Sequence, residues 1–190
     1  NAFEGCASLT EIKLPSKSTS ISSNAFLNCT SLNSVVMNNA KLTSIGTNAF
    51  EGCTSLKQIV LPETVDTINA YAFYRSGLTS INIPAKVQLL GTGKYASTSS
   101  KAYTFAECKN LKTVTFSSGS KCVKLGGWVF QNCTSLTTIK LKQFTQIGNY
   151  AFEGCTSLKE IDTSGVTTYI NFSTGCFKDC TSLAKVTFNT

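Results

Sequence analysis

One short motif returns along the whole 190-residue chain. A fixed period of this kind dictates a stacked architecture, because each unit can bury its apolar side only against its neighbours. Ala2-Phe3, Cys6, Leu9, Ile12 and Leu14 come back as Ala25-Phe26, Cys29, Leu32, Val35 and Met37, and again as Ala49-Phe50, Cys53, Leu56, Ile59 and Leu61. The fourth copy, Ala72-Phe73 with Leu78, Ile81 and Ile83, is one residue short and carries Ser76 near the Cys position. Four more run from Thr104-Phe105, Val129-Phe130, Ala151-Phe152 and Cys176-Phe177, with Thr163 where the seventh copy calls for an apolar residue. The motif Phe residues are 23, 24, 23, 32, 25, 22 and 25 residues apart. A basic coil of about 23 residues is therefore expected about eight times over, with an insertion in the one long interval.

Within a coil, Ser8-Leu9-Thr10-Glu11-Ile12-Lys13-Leu14 ends in the period-two alternation of a half-buried strand, and Pro15, Pro62 and Pro84 stop such strands. A second apolar pair about seven residues later, as in Ile45-Gly46 and Ile147-Gly148, predicts a return strand ending in a Gly turn. The Ala-Phe-x-x-Cys stretch is too short for an independent helix and suits one helical turn at a corner, with Phe and Cys pointing inward. The expected fold class is mainly β with short helical turns: a solenoid with a parallel sheet along one face. With 42% apolar and 14% charged residues the chain has the material for such a core.

The pattern Leu-x-x-Ile-x-Leu-Pro followed by Ile-Gly-x-x-Ala-Phe-x-x-Cys, as in Leu56 to Pro62 and Ile147 to Cys155, resembles the BspA-like, or Treponema-type, leucine-rich repeats. The resemblance covers essentially the whole chain and is specific for fold; for function it is weaker, since solenoids host many partners. It implies a surface or secreted protein of mucosal bacteria or protists, associated with adhesion to host cells, matrix proteins or other microbes. Residues 1–190 are expected to form a single leucine-rich-repeat domain, a fragment of a longer array, because the chain opens at a corner and stops on a strand without a polar cap.

Chemistry is constrained by what is missing. The chain has no His, which removes the usual general base and most catalytic zinc sites, so no enzyme activity, cofactor or catalytic residue is expected. Glu4, Glu51 and Glu153 recur just after the motif Phe and are read as repetition. Gly91-Thr92-Gly93-Lys94 lacks the spacing of a phosphate loop. No apolar run approaches the roughly 18 residues of a membrane-spanning helix.

Seven of the nine cysteines, Cys6, Cys29, Cys53, Cys108, Cys133, Cys155 and Cys180, fall three residues after the motif Phe. One thiol per coil predicts an inward column of free packing thiols; cross-coil disulfides and a metal site are the alternatives. Cys176 replaces the motif Ala and is expected to be buried, and Cys122, off register, to be partly exposed. Asn28, Asn132 and Asn171 open Asn-x-Ser/Thr sequences, two of which reuse the Asn-Cys-Thr corner of the repeat.

The net charge of +7 is concentrated in the middle: between Thr67 and Phe152 lie Arg75 and nine lysines against Glu107 alone. Such a zone attracts anionic glycans, acidic proteins or anionic surfaces, or simply solvates the sheet edges. No nucleic acid is expected, because no reading motif accompanies the charge. Outward strand residues, from Glu11 and Lys13 through Thr138 and Lys140 to Lys185 and Thr187, form a small polar face. Carbohydrate stacking calls for a column of exposed Tyr and Trp, and none is expected at any motif position. The insertion Thr92–Tyr103 is read as a protruding loop, so the candidate partner-binding residues are Lys94, Tyr95, Lys101, Tyr103, Lys140 and Lys142. The function expected is a cell-surface or secreted recognition and adhesion module binding host or microbial proteins; the alternative is an intracellular protein-binding scaffold or inhibitor.

Overall fold

The computed structural model describes residues 2–37, 41–91, 98–166 and 169–188. Each coil carries a front strand and a return strand. The front strands are β1 (Glu11–Lys13), β3 (Ser34–Val36), β6 (Ser80–Ile83), β8 (Thr113–Phe116), β10 (Thr138–Lys140), β12 (Glu160–Asp162) and β14 (Lys185–Thr187). The return strands, two residues each, are β2 (Ser20–Ile21), β4 (Ser44–Ile45), β5 (Thr67–Ile68), β7 (Leu89–Leu90), β9 (Lys124–Leu125), β11 (Gln146–Ile147) and β13 (Asn171–Phe172). Eight corners bound about seven turns of a solenoid, and every strand pair is parallel. Register follows the motif: Ile139 faces Ile161, which faces Val186, while Thr138 and Lys140 alternate outward.

The ladders are interrupted at defined places. On the front, β1 pairs with β3, β6 with β8, β10 with β12 and β12 with β14, while Gln58–Val60 of the third coil form no strand. On the return side β2–β4–β5 and β7–β9–β11–β13 are separate sheets. The coils nevertheless stay in register at the corners. The motif Phe rings stack one on the next from Phe3 to Phe177 with centroids 5.2–5.5 Å apart and planes within 14°, the offset arrangement that aromatic quadrupoles favour. Phe73 and Phe105 flank the 32-residue interval and still stack at 5.2 Å, so the extra residues leave the coil without breaking the column.

The corner departs from the single helical turn expected. No helix forms among the described residues, and the corner is a run of hydrogen-bonded turns, such as Cys29 N–H to the Phe26 carbonyl. Two left-handed residues per coil prevent helical continuation, one two positions before the motif Phe (Asn24, Asn48) and one two positions after it (Gly5, Asn28, Gly52). Asn and Gly are the residues that adopt this conformation most readily.

The described part of the insertion, residues 98–103, is packed against the stack, where a protruding loop was expected. The insertion's first part, including Lys94 and Tyr95, lies outside the described residues, but Thr98 and Ala102 are buried and Lys101 forms a parallel bridge with Gly127. The segment approaches the next coils closely: a Cβ on Gly148 would collide with the Thr98 carbonyl oxygen, and one on Gly127 would lie 3.0 Å from that of Ser100. Glycine at 127 and 148 is what lets residues 98–102 lie across the stack.

Candidate partner-binding site

The break between β8 and β10 opens a groove of about 470 Å³ on the front, lined by Thr113, Val114, Thr115, Phe116, Thr138, Ile139, Lys140, Lys142 and Gln143. Strand alternation explains the lining: Thr113, Thr115, Thr138 and Lys140 point outward while Val114 and Ile139 point to the core. Phe116 is half-buried, its ring edge-on to Phe144 at 5.1 Å, and gives the groove an apolar end. Two of the six candidate residues, Lys140 and Lys142, therefore meet in one cleft. Lys142 already holds a carboxylate, that of Asp162, at 3.3 Å. Hydrogen bonds from the Ser164 hydroxyl and backbone, with help from Lys142, hold Asp162 down at about 2.

Lys101 and Tyr103 lie elsewhere, at the corner after the insertion, so the six candidates do not form a single site. That corner carries a feature the sequence reading overlooked. Tyr71, Tyr103, Trp128 and Tyr150 occupy one motif position, two residues before Phe, and the expectation that Tyr and Trp do not repeat is corrected. Their rings stack at 5.1, 5.7 and 5.1 Å with planes 23–28° apart. All four backbones are left-handed, with φ of 49–58°, a costly conformation for bulky residues. Each stacked pair contributes about 0.5–1.5 kcal/mol, which offsets that cost. The signal was present as a column of aromatics two positions before Phe73, Phe105, Phe130 and Phe152.

The rings' faces are spent on one another and on cations, with the Lys101 ammonium 5.8 Å from the Trp128 ring and that of Lys178 5.9 Å from Tyr150. Tyr74 sits edge-on to Tyr71 and Tyr103 and is covered by the Arg75 guanidinium at 4.9 Å. A sugar ring needs an open aromatic face, so this strip is a brace between coils four to seven. Burial, with the Glu153 charge and Tyr74 adding to it, raises the Tyr103 hydroxyl above its ordinary value. Polar ties run alongside: Lys178 and Gln131 both donate to Glu153, at 2.8 and 2.7 Å, and Asn132 donates to Glu107 at 2.6 Å.

The thiol column is more than packing. All nine cysteines are free. Cys29, Cys53, Cys108, Cys133, Cys155 and Cys180 each donate to the motif Phe carbonyl of the preceding coil at 3.0–3.2 Å. Where the fourth coil has Ser76, its hydroxyl shares a hydrogen bond with the Cys108 thiol at 3.3 Å. Burial pushes Cys53 and Cys108 up to about 12, so these thiols stay protonated donors and poor nucleophiles. Cys122, expected to be partly exposed, is fully buried and also raised to about 12 by burial. Cys176 is buried as expected. Among the described residues no group of three His, Cys, Asp or Glu side chains is placed to hold a metal ion, and no helix is long and apolar enough to cross a membrane.

Comparison with known proteins agrees with this geometry. The family model of the BspA type leucine rich repeat region matches in six copies over residues 1–101 and 96–190. A leucine-rich repeat protein structure from T. pallidum is 27% identical, with 92% of this chain aligned to 78% of that one at a TM-score of 0.75. One from Bacteroides ovatus is 26% identical over the whole of this chain, at a TM-score of 0.56. The chain spans 57% of the Bacteroides ovatus protein's length. No curated protein sequence matches the chain.

Proposed function

Because this chain belongs to the BspA-type leucine-rich repeat family, we propose that it is a non-enzymatic, cell-surface or secreted recognition module that holds host, matrix or microbial surface proteins on its front face. The observation that carries this reading is the groove between β8 and β10. It joins an apolar end at Phe116, a floor of Val114 and Ile139, and a rim of threonine hydroxyls and lysines, the mixture by which a protein side chain is held and oriented. Lys142 bound to Asp162 shows the chemistry on a small scale, an ammonium at this rim taking a carboxylate.

The second reading, an intracellular protein-binding scaffold or inhibitor, has the nine free thiols in its favour. Burial of most of them makes the column equally suited to an oxidising exterior, because the thiolate that would react scarcely forms. Protease accessibility of the protein on intact source cells separates the two.

The experiment is to compare the chain with a Thr115→Glu, Thr138→Glu, Lys140→Glu variant for binding to immobilised matrix proteins and to cultured epithelial cells. The variant is expected to lose at least tenfold in affinity while remaining folded, with a denaturation midpoint lowered only modestly by the facing Glu160 and Asp162. Equal binding by both proteins would remove the front groove from the account.

A further inference from the structure

We propose that the return-strand side of the fourth and fifth coils is a second binding site, for a linear sulfated glycan. The return sheet is broken between β5 and β7. At the break lies a shallow cavity of about 190 Å³ lined by Asp66, Lys86, Gln88, Leu89 and Lys121. Two lysines from adjacent coils thus face one depression. Backbone bonds hold them there: the Lys121 N–H donates to the Ala85 carbonyl at 2.9 Å and the Val123 N–H to that of Gln88 at 3.2 Å. Lys124 extends the row, since it is the register partner of the cavity-lining Leu89.

All three lysines are exposed, and none of them is within ion-pair distance of a carboxylate among the described residues. Elsewhere Lys109, Lys142, Lys178 and Lys185 are each matched by an acid. The local acid, Asp66, is turned to its neighbour and accepts from the Thr67 hydroxyl at 2.7 Å. The result is a cluster of three positive charges against one negative, set around a depression, with one lysine on the fourth coil and two on the fifth, whose paired backbones run about 4.8 Å apart. This is a footprint for an anion that repeats along a chain.

The lining selects among polyanions. It contains no aromatic ring, so it offers no surface on which nucleic-acid bases stack. Leu89 is its one aliphatic side chain and is itself buried, so an acidic peptide finds no pocket for an apolar anchor. Flexible lysines, point charges with three rotatable donors, suit sulfates whose spacing varies along a glycan. Gln88 adds an amide for ring hydroxyls. The site is independent of the front groove, which lies on the other set of strands.

Heparin is the probe. The wild-type chain is expected to bind immobilised heparin with an affinity that falls steeply as salt rises. A Lys86→Ala, Lys121→Ala, Lys124→Ala variant should weaken about tenfold or more at 0.1 M salt, by loss of three close charge contacts. A control with the same charge change on other coils, Lys17→Ala, Lys57→Ala, Lys159→Ala, should stay within about twofold of wild type. Asp66→Asn should tighten binding, and Asp179→Asn, the same charge change elsewhere, should not. Fully desulfated heparin, poly-glutamate and single-stranded DNA should bind at least tenfold more weakly than heparin.

The proposal is overturned if both triple variants lose affinity equally, if the Lys86, Lys121, Lys124 variant binds as wild type does, or if poly-glutamate or DNA binds as tightly as heparin. Should the triple variant fail to unfold at the wild-type midpoint, the single variant Lys121→Gln carries the test, with a threefold or greater loss expected and no change contradicting the site.

Discussion

Replacing one thiol in the middle of the stack isolates what the cysteine column does. Cys133 is fully buried, and its thiol donates to the Phe105 carbonyl at 3.1 Å. That carbonyl also accepts the Cys108 N–H at 3.2 Å, so Cys133→Ala does not orphan it. The cost is then the lost burial of the sulfur, about 1 kcal/mol, a cavity of comparable cost because neighbouring coils cannot close in, and a weak hydrogen bond of about 0.5 kcal/mol. Together these predict about 2.5 kcal/mol of destabilisation. Cys133→Ser keeps a donor, as Ser76 does naturally in the fourth coil, and should cost about half as much. Cys6 holds the same motif position but is exposed, so Cys6→Ala should cost under about 0.5 kcal/mol. The assay is urea unfolding in reductant, followed by far-ultraviolet circular dichroism and by fluorescence of Trp128, which sits in the same coil as Cys133; coincident curves license the comparison of midpoints. A Cys133→Ala protein within about 0.5 kcal/mol of wild type, or a Cys6→Ala protein as damaged as it, would refute the reasoning.

Three further outcomes follow from the same geometry. Because burial raises the thiols of Cys53, Cys108 and Cys122 to about 12, their contribution is complete below the ordinary thiol value near 9 and is lost as pH rises towards 12; each costs up to about 1.4 kcal/mol per pH unit there, and urea midpoints should fall accordingly between pH 9 and 11. Flat midpoints over that range would contradict the buried column. Gly148→Ala sets a methyl group against the Thr98 carbonyl and 2.6 Å from the Gly126 carbonyl carbon, so it should cost about 2 kcal/mol or more and make residues 92–102 the first site of limited proteolysis. Trp128→Ala removes the stacked contacts with Tyr103 and Tyr150 and the ring over which Lys101 lies, and should lower stability by about 2 kcal/mol while Trp128→Phe stays within about 1, as read by thermal unfolding.

The period of the motif Phe and the alternation ending each coil were enough to place front and return strands, because an apolar residue every second position fixes which face of a strand is buried. Register across the insertion was equally legible, since Phe105 resumes the column that Phe73 leaves. Local backbone at the corners was not. A tight Ala-Phe-x-x-Cys turn reads as helical, and only the Asn and Gly residues two positions either side of Phe hint at the left-handed pairs that break it. The aromatic brace was missed because Tyr71, Tyr103, Trp128 and Tyr150 point away from the core, and attention to inward positions passes over them. Lys140 and Lys142 were picked out for charge alone. The groove beside them depends on a gap between β8 and β10 that no residue pattern announces.

The front face, with the groove between β8 and β10, is the surface expected to meet a protein partner. The most direct measurement is amide hydrogen exchange on the chain alone and with whichever immobilised matrix protein gives the highest affinity in the binding comparison above. Slowed exchange is expected in Thr113–Phe116 and Thr138–Lys140, the strands bordering the front groove, with the corner residues 71–75 and 128–132 unchanged. Protection confined to the corners or to the return strands, with β8 and β10 unaffected, would contradict the assignment of protein recognition to the front face.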